Sequence, residues 1–202
     1  MKDKLNIGII PDGNRKYAKE KDISLAESYI LGAQIACDIV QVSIARKNID
    51  RIVFYAFSSD NFKRPKNEIE AIIVGIKKFL SLVQDYPVNI NTFGDDNSVE
   101  LKDLFAHRVA ENSSLTIDLL INYSPDWDFQ VRPIHTASIP DLDVILRSNS
   151  SDRVYLSGFL PKQSSYATLK MLNMHWAQFS ADQFNTIVNG TKDSLLDYES
   201  GI

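Results

Sequence analysis

The sequence is poor in the features that mark the special classes of protein. It has one cysteine, Cys37, in 202 residues. No intramolecular disulfide is possible, so a reducing cytoplasm is the expected compartment. Cys37 sits in a helical pattern and reads as a small buried hydrophobe. Met1-Lys2-Asp3-Lys4 is followed only by a short apolar stretch, too short for a signal-peptide core or a membrane span, so no transmembrane segment is expected. Positive charge is not in excess: 22 Lys and Arg face 26 Asp and Glu, a net charge of -4. Long-range attraction to nucleic acid is therefore not expected, and any anion site must come from local clustering. Internal repeats and low-complexity linkers are missing. The three histidines, His107, His135 and His175, lack metal-ligand spacing and read as surface or packing residues. What remains is a chain with the length of one domain, residues 1–202, and enough apolar residues for one sizeable core.

Apolar periodicity alternates between strand and helix. Leu5 to Ile10, Arg51 to Phe57, Val88 to Thr92, Leu115 to Ile121, Val144 to Leu146 and Tyr166 to Leu172 read as strands. Residues 25–47 follow a helical period, as do Ile69, Ile72, Ile76, Phe79, Leu80 and Val83. Val99, Leu101, Leu104, Phe105 and Val109 suggest another helix. Ser180 and Gln183 have capping-box spacing before a last one. This alternation predicts an α/β domain with a largely parallel central sheet flanked by helices.

In such sheets ligands gather beyond the carboxyl ends of the strands. Three of those ends share a chemistry. Asp12-Gly13-Asn14-Arg15-Lys16 follows the first strand, Ser58-Ser59-Asp60-Asn61-Phe62-Lys63-Arg64-Pro65 the second, and Arg147-Ser148-Asn149-Ser150-Ser151-Asp152-Arg153 the fifth. Each sets small polar residues beside Arg or Lys. Taken singly, Asp-Gly-Asn is an ordinary turn signal and Ser-Ser-Asp-Asn also caps helices. Taken together, on one edge of a parallel sheet, they form a donor-rich rim suited to phosphate or diphosphate. Gly13 permits close backbone approach, helix N-terminal N–H groups point at the anion, and Arg grips two oxygens. Asp12 among these cations makes best sense as a Mg²⁺ ligand, because Mg²⁺ sits between a carboxylate and substrate phosphates.

These residues also carry a resemblance. The run from Asn6 to Lys19, the run from Tyr55 to Pro65, Leu115 to Tyr123 followed by Trp127-Asp128, and Asp143 to Arg147 with Arg153, Ser157 and Phe159-Leu160 resemble, in order, four signatures of the cis-prenyltransferases, the undecaprenyl diphosphate synthase family. The resemblance implies Mg²⁺ at Asp12 and an allylic isoprenoid diphosphate cradled by Gly13, Asn14, Arg15, Lys16 and Arg64. It places Ser59 and Asn61 with Asp12 and Asn14 among the catalytic groups. It implies a second isoprenoid diphosphate at Arg147, Arg153 and Ser157, and a homodimer.

The departures from the family pattern are specific. Leu25 and Tyr29 stand where an Arg and a His are usual, Lys16 replaces an Arg, and Thr168 replaces a metal-associated Glu. The segment between Trp127 and Pro140 is short, and no C-terminal Arg-x-Gly is present. Pro11, Tyr29 and Phe159-Leu160-Pro161 resemble the cyclolavandulyl branch, which joins two C5 units head-to-middle. The expectation is a short-chain or irregular prenyltransferase, with head-to-middle coupling as one form. Cyclisation of a single prenyl diphosphate and a non-catalytic isoprenoid-binding partner subunit are the alternatives.

Overall fold

The computed structural model describes residues 4–148 and 153–199. Its strands are β1 (Leu5–Ile10), β2 (Ile49–Ser58), β3 (Val88–Phe93), β4 (Leu115–Tyr123), β5 (Val144–Ser148) and β6 (Thr168–Leu172). They form one six-stranded sheet in the order β3-β4-β2-β1-β5-β6, and every neighbouring pair is parallel. β1 and β5 are buried at every residue, as strands covered on both faces must be. The expected α/β fold with a parallel sheet is the observed one.

The helices are α1 (Asn14–Lys21), α2 (Leu25–Arg46), α3 (Lys66–Leu82), α4 (Pro125–Asp128) and α5 (Ala181–Glu199). α2 opens on a reciprocal cap: the Glu27 N–H donates to the Ser24 hydroxyl and the Ser24 N–H donates to the Glu27 carboxylate. Ser180 and Gln183 form the same device before α5, as their spacing predicts. By length and composition α2 is apolar enough to cross a membrane. Ala33, Ala36, Cys37, Ile39 and Val40 are instead buried with Ile72, Ile76 and Phe79 of α3, so core packing accounts for its apolar face.

Alternate strand residues serve two layers. Ile7, Ile9, Ile52, Phe54, Ile117, Leu119 and Leu146 belong to the core shared with α2, α3 and α5. Ile10, Val53, Leu120 and Ile145 pack on Ile139, Leu142, Phe159 and Leu160, which come from the β4–β5 and β5–β6 connections. Among the described residues this second layer holds one helix, the short α4, in keeping with the short stretch between Trp127 and Pro140. Gly8 lets it approach: a Cβ there would lie 2.6 Å from Phe159 Cε1 and 3.1 Å from Leu142 Cδ1.

The helix suggested by Val99 to Val109 does not form. Only Lys102–Leu104 make a 3₁₀ turn. Leu101 and Leu104 are buried, while Val99 and Val109 are 89% and 75% exposed. Arg108 supplies the reason. Its backbone pairs with Ile90, and its guanidinium donates to the carbonyls of Val83, Tyr86 and Val88 beyond the end of α3. That double tie holds the chain extended where a helix would have to continue.

Gly8→Ala is expected to destabilise the protein by about 1–3 kcal/mol through overpacking against Phe159. A lower urea midpoint at unchanged slope checks it.

Candidate active site

The chain leaves β1 toward β2 and leaves β5 toward β6, in opposite directions across the sheet. The β1–β2 connection lies on the helical face and the β5–β6 connection on the other. A crevice therefore opens beyond the ends of β1 and β5. It is the mouth of a cavity of about 480 Å³, within the range of small-molecule sites.

At this mouth Asp12 and Arg147 meet. Arg147, 3% exposed, donates from Nη2 to Asp12 Oδ2 at 2.7 Å and from Nη1 to Ser157 Oγ at 3.0 Å. Its guanidinium lies 4.0 Å from the ring centre of Tyr155, a cation–π contact. Its Nε has no partner. The other Asp12 oxygen, Oδ1, accepts the Gly13 N–H at 2.7 Å. Ser148 Oγ takes the Asp12 N–H at 2.8 Å, and the Trp176 N–H donates to the Asp12 carbonyl at 2.9 Å.

Gly13 then turns the chain into α1 at φ 94°, and no side chain caps that helix. Its first-turn residues Asn14, Arg15 and Lys16 line the cavity with no acidic residue among them, an arrangement that receives anions. Asn14 is buried, lines the cavity and keeps Oδ1 without a partner. Arg15 reaches Glu68 at 3.2 Å while half exposed. Arg64 lies 3.4 Å from the Tyr29 hydroxyl. Burial raises the Tyr29 phenol above its ordinary pKa, against the pull of Arg64 and Arg15. Asn61 faces the cavity, although its Oδ1 already accepts the Ser58 N–H at 3.0 Å.

Asp12, Gly13, Asn14, Arg15, Lys16, Asn61, Arg64, Arg147 and Ser157 thus share one cavity, as their positions after strands predict. Ser59 does not join them: it lines a neighbouring cleft with Gly94 and Asn122, and Ser58 takes its place at the mouth. The 3₁₀ turn Ser59–Lys63 rotates successive side chains apart. Arg153 is exposed and outside the cavity lining. Asn149 to Asp152 lie outside the described residues. Thr168 pairs with Val144, at the opposite end of the sheet from the Arg147–Met171 pair, so a carboxylate there would not reach Asp12 of the same chain.

Behind the polar mouth the lining turns apolar. Ala33, Ala36, Phe54, Ile72, Ile76, Phe79 and Leu119 form the interior. Sequence spacing missed Tyr155, Trp176 and the two glycines Gly32 and Gly75 of the cavity lining. A Cβ on Gly32 would lie 2.8 Å from Trp176 Cδ1, and one on Gly75 2.9 Å from Tyr29 Cβ.

Mg²⁺ fits this donor set. The Asp12 side chain is 40% exposed at the rim of the cation cluster, and one carboxylate plus substrate phosphates is a usual Mg²⁺ environment. Among the described residues no three His, Cys, Asp or Glu side chains cluster for a metal, so phosphate oxygens would have to complete the shell.

Asp12→Ala leaves the buried Arg147 guanidinium, among the described residues, with the Ser157 hydroxyl and the Tyr155 carbonyl and ring. A loss of about 1–2 kcal/mol in chemical denaturation is expected, less than for a fully buried pair. Burial also pushes the Tyr55 phenol up to about 12 from 10.0. A raised pKa means the neutral phenol stabilises the fold fully below pH 10 and loses this effect as pH climbs toward 12. Tyr55→Phe should flatten that alkaline slope in the stability–pH profile.

The family described as "Putative undecaprenyl diphosphate synthase" matches residues 10–132. An isoprenyl transferase of Chlorobaculum tepidum is 26% identical, over 88% of this chain and 79% of its own length. The ditrans,polycis-undecaprenyl-diphosphate synthase of Pasteurella multocida, farnesyl-diphosphate specific, is 28% identical over 91% of this chain and 89% of its own. The fold is similar to lavandulyl diphosphate synthase from Lavandula x intermedia solved with dimethylallyl diphosphate, at TM-score 0.76 and 19% identity, covering 94% and 95% of the two chains. It is also similar to a probable undecaprenyl diphosphate synthase from Campylobacter jejuni, at TM-score 0.72 and 20% identity, covering 95% and 96%. On its sequence match and its fold together, the chain belongs to the undecaprenyl diphosphate synthase family of prenyltransferases.

Proposed function

We propose that this prenyltransferase ionises a short allylic diphosphate at the Asp12 loop, with Mg²⁺, and condenses the allyl group with a second isoprenoid unit, releasing diphosphate. The observation that carries the proposal is the two-part cavity. A mouth of cations and helix N–H groups at Gly13 to Lys16 and Arg64 leads into an interior of Ala33, Ala36, Phe54, Ile72, Ile76, Phe79 and Leu119. An anionic head with an apolar tail is the ligand class such a site accepts.

The first-turn N–H groups of α1 with Arg15, Lys16 and Arg64 hold the diphosphate. Bound at Asp12, Mg²⁺ supplies further charge neutralisation on the leaving group. The C–O bond breaks and its electron pair leaves with diphosphate, whose growing charge these donors stabilise. The apolar walls keep water from the allylic cation. Arg147 and Ser157, with Arg153 nearby in sequence, hold the second diphosphate so that its alkene attacks; a proton is then lost.

The cavity of about 480 Å³, with Phe54 and Phe79 in its lining 5.5 Å apart, favours short substrates. In the lavandulyl diphosphate synthase structure the same fold carries dimethylallyl diphosphate. With Leu25 and Tyr29 replacing the usual Arg and His, head-to-middle joints belong among the products sought. A cytoplasmic homodimer is part of the same proposal.

Purified protein with Mg²⁺ should release diphosphate from dimethylallyl, geranyl or farnesyl diphosphate, with isopentenyl or dimethylallyl diphosphate as acceptor, read by mass spectrometry. Asp12→Ala should lower turnover about 100-fold or more, and EDTA should abolish it. Conversion of none of these substrates overturns the proposal. Hydrocarbon or alcohol products from one prenyl diphosphate alone would assign cyclisation instead.

A further inference from the structure

The Asp12 loop is braced from behind by a residue that neither the motif pattern nor the proposed chemistry uses. His175 precedes Trp176 in the β6–α5 connection and is 4% exposed. Its Nε2 lies 3.0 Å from both carboxylate oxygens of Glu20, on the last turn of α1. Its Nδ1 has no hydrogen-bond partner. A Cβ on Gly13 would sit 2.6 Å from that Nδ1 and 3.1 Å from the His175 Cα. The imidazole therefore occupies the space that the missing Gly13 side chain leaves, against the turn that leads into α1.

Neighbouring contacts make this a clamp with defined ends. The Trp176 N–H donates to the Asp12 carbonyl at 2.9 Å, and Trp176 Nε1 donates to the Gly32 carbonyl at 2.9 Å. The Ser28 hydroxyl donates to the Asn14 carbonyl at 2.9 Å. Tyr17 meets the imidazole edge-on, with ring centres 6.3 Å apart. The loop is thus tied to α2 and to the β6–α5 connection through its carbonyls. The Gly13 N–H is held by Asp12 Oδ1, and the first residues of α1, Asn14 to Lys16, line the cavity. The Glu20–His175 pair fixes the other end, holding the C-terminal turn of α1 against the same connection. A helix pinned at both ends cannot tilt its N-terminus, and a shift of about 1 Å in a binding group costs on the order of 100-fold in the reaction it serves.

We propose that His175, held by Glu20, is a positioning residue for the allylic diphosphate: it sets where the Gly13 to Lys16 amides stand, through the Gly13 backbone, without touching substrate. The proposal rests on the assignment of the Asp12 loop as the diphosphate site, and the test separates the two. His175→Leu fills the space but cannot bond Glu20. His175→Gln keeps a donor to Glu20. Glu20→Ala removes the acceptor from a position whose side chain is 57% exposed, so the fold tolerates it.

Two readouts are taken for each variant: calorimetric binding of inorganic diphosphate with Mg²⁺, and amide hydrogen exchange across residues 11–17. His175→Leu and Glu20→Ala should weaken diphosphate binding about tenfold and speed exchange in this segment, with His175→Gln near wild type. In turnover, KM for the allylic substrate should rise about tenfold while KM for the acceptor moves less than about twofold. A brace that only supports the fold would lower the active fraction and leave both KM values alone, and that result overturns the proposal. Wild-type binding of diphosphate that His175→Leu and Glu20→Ala both match, with unchanged exchange, overturns it as well while sparing the site. Wild-type protein that binds no diphosphate overturns the site assignment and this proposal together.

Discussion

A guanidinium that is 3% exposed has to be neutralised and hydrogen-bonded where it stands, or the fold will not keep it. Arg147 is that group, and the architecture of the mouth follows from it. Its carboxylate comes from Asp12 at the end of the neighbouring strand, its hydroxyl from Ser157 and its ring partner from Tyr155. Parallel pairing of β1 with β5 sets Ile10 level with Arg147, so the residue that follows two positions later reaches the cation directly. The ion pair therefore links the two halves of the site, the turn into α1 and the connection after β5. Asp12 keeps an exposed edge at the rim of the cavity while it neutralises the buried cation.

The interior depends on small residues as much as on large ones. Gly32 and Gly75 leave room for Trp176 and for Tyr29, and Ala33 and Ala36 keep α2 from filling the gap above the sheet. Larger side chains at these four places would close the cavity by packing it as ordinary core. Phe54 and Phe79 are core residues by burial and wall residues by position. One helix pair thus contributes to the core and to the cavity wall together.

Much of this was legible beforehand because parallel α/β chains place function after strands. The turns after β1 and β2 and the cation ending β5 were marked by residue type, and the sheet brought them together. Two local features misled. Val99 to Val109 carry helical spacing, yet Arg108 is committed to the carbonyls beyond α3 and to a bridge with Ile90. Ser59 sits beside Ser58 in a run of polar residues, and the sense of a single 3₁₀ turn decides which of them faces the cavity. Neither the reach of a long side chain nor the phase of one turn is encoded in spacing.

By itself the sequence determined the strand–helix alternation, the parallel sheet it implies, and the chemistry of the segments at the strand ends. Those follow from periodicity and residue type, which act over a few neighbours. Only the tertiary structure decided that Asp12 is shared with a buried Arg147, that Thr168 lies at the far end of its strand, and that His175, late in the chain, stands behind Gly13. Each of these depends on which distant segments are pressed together, and that is set by strand order and by the filling of space around glycine.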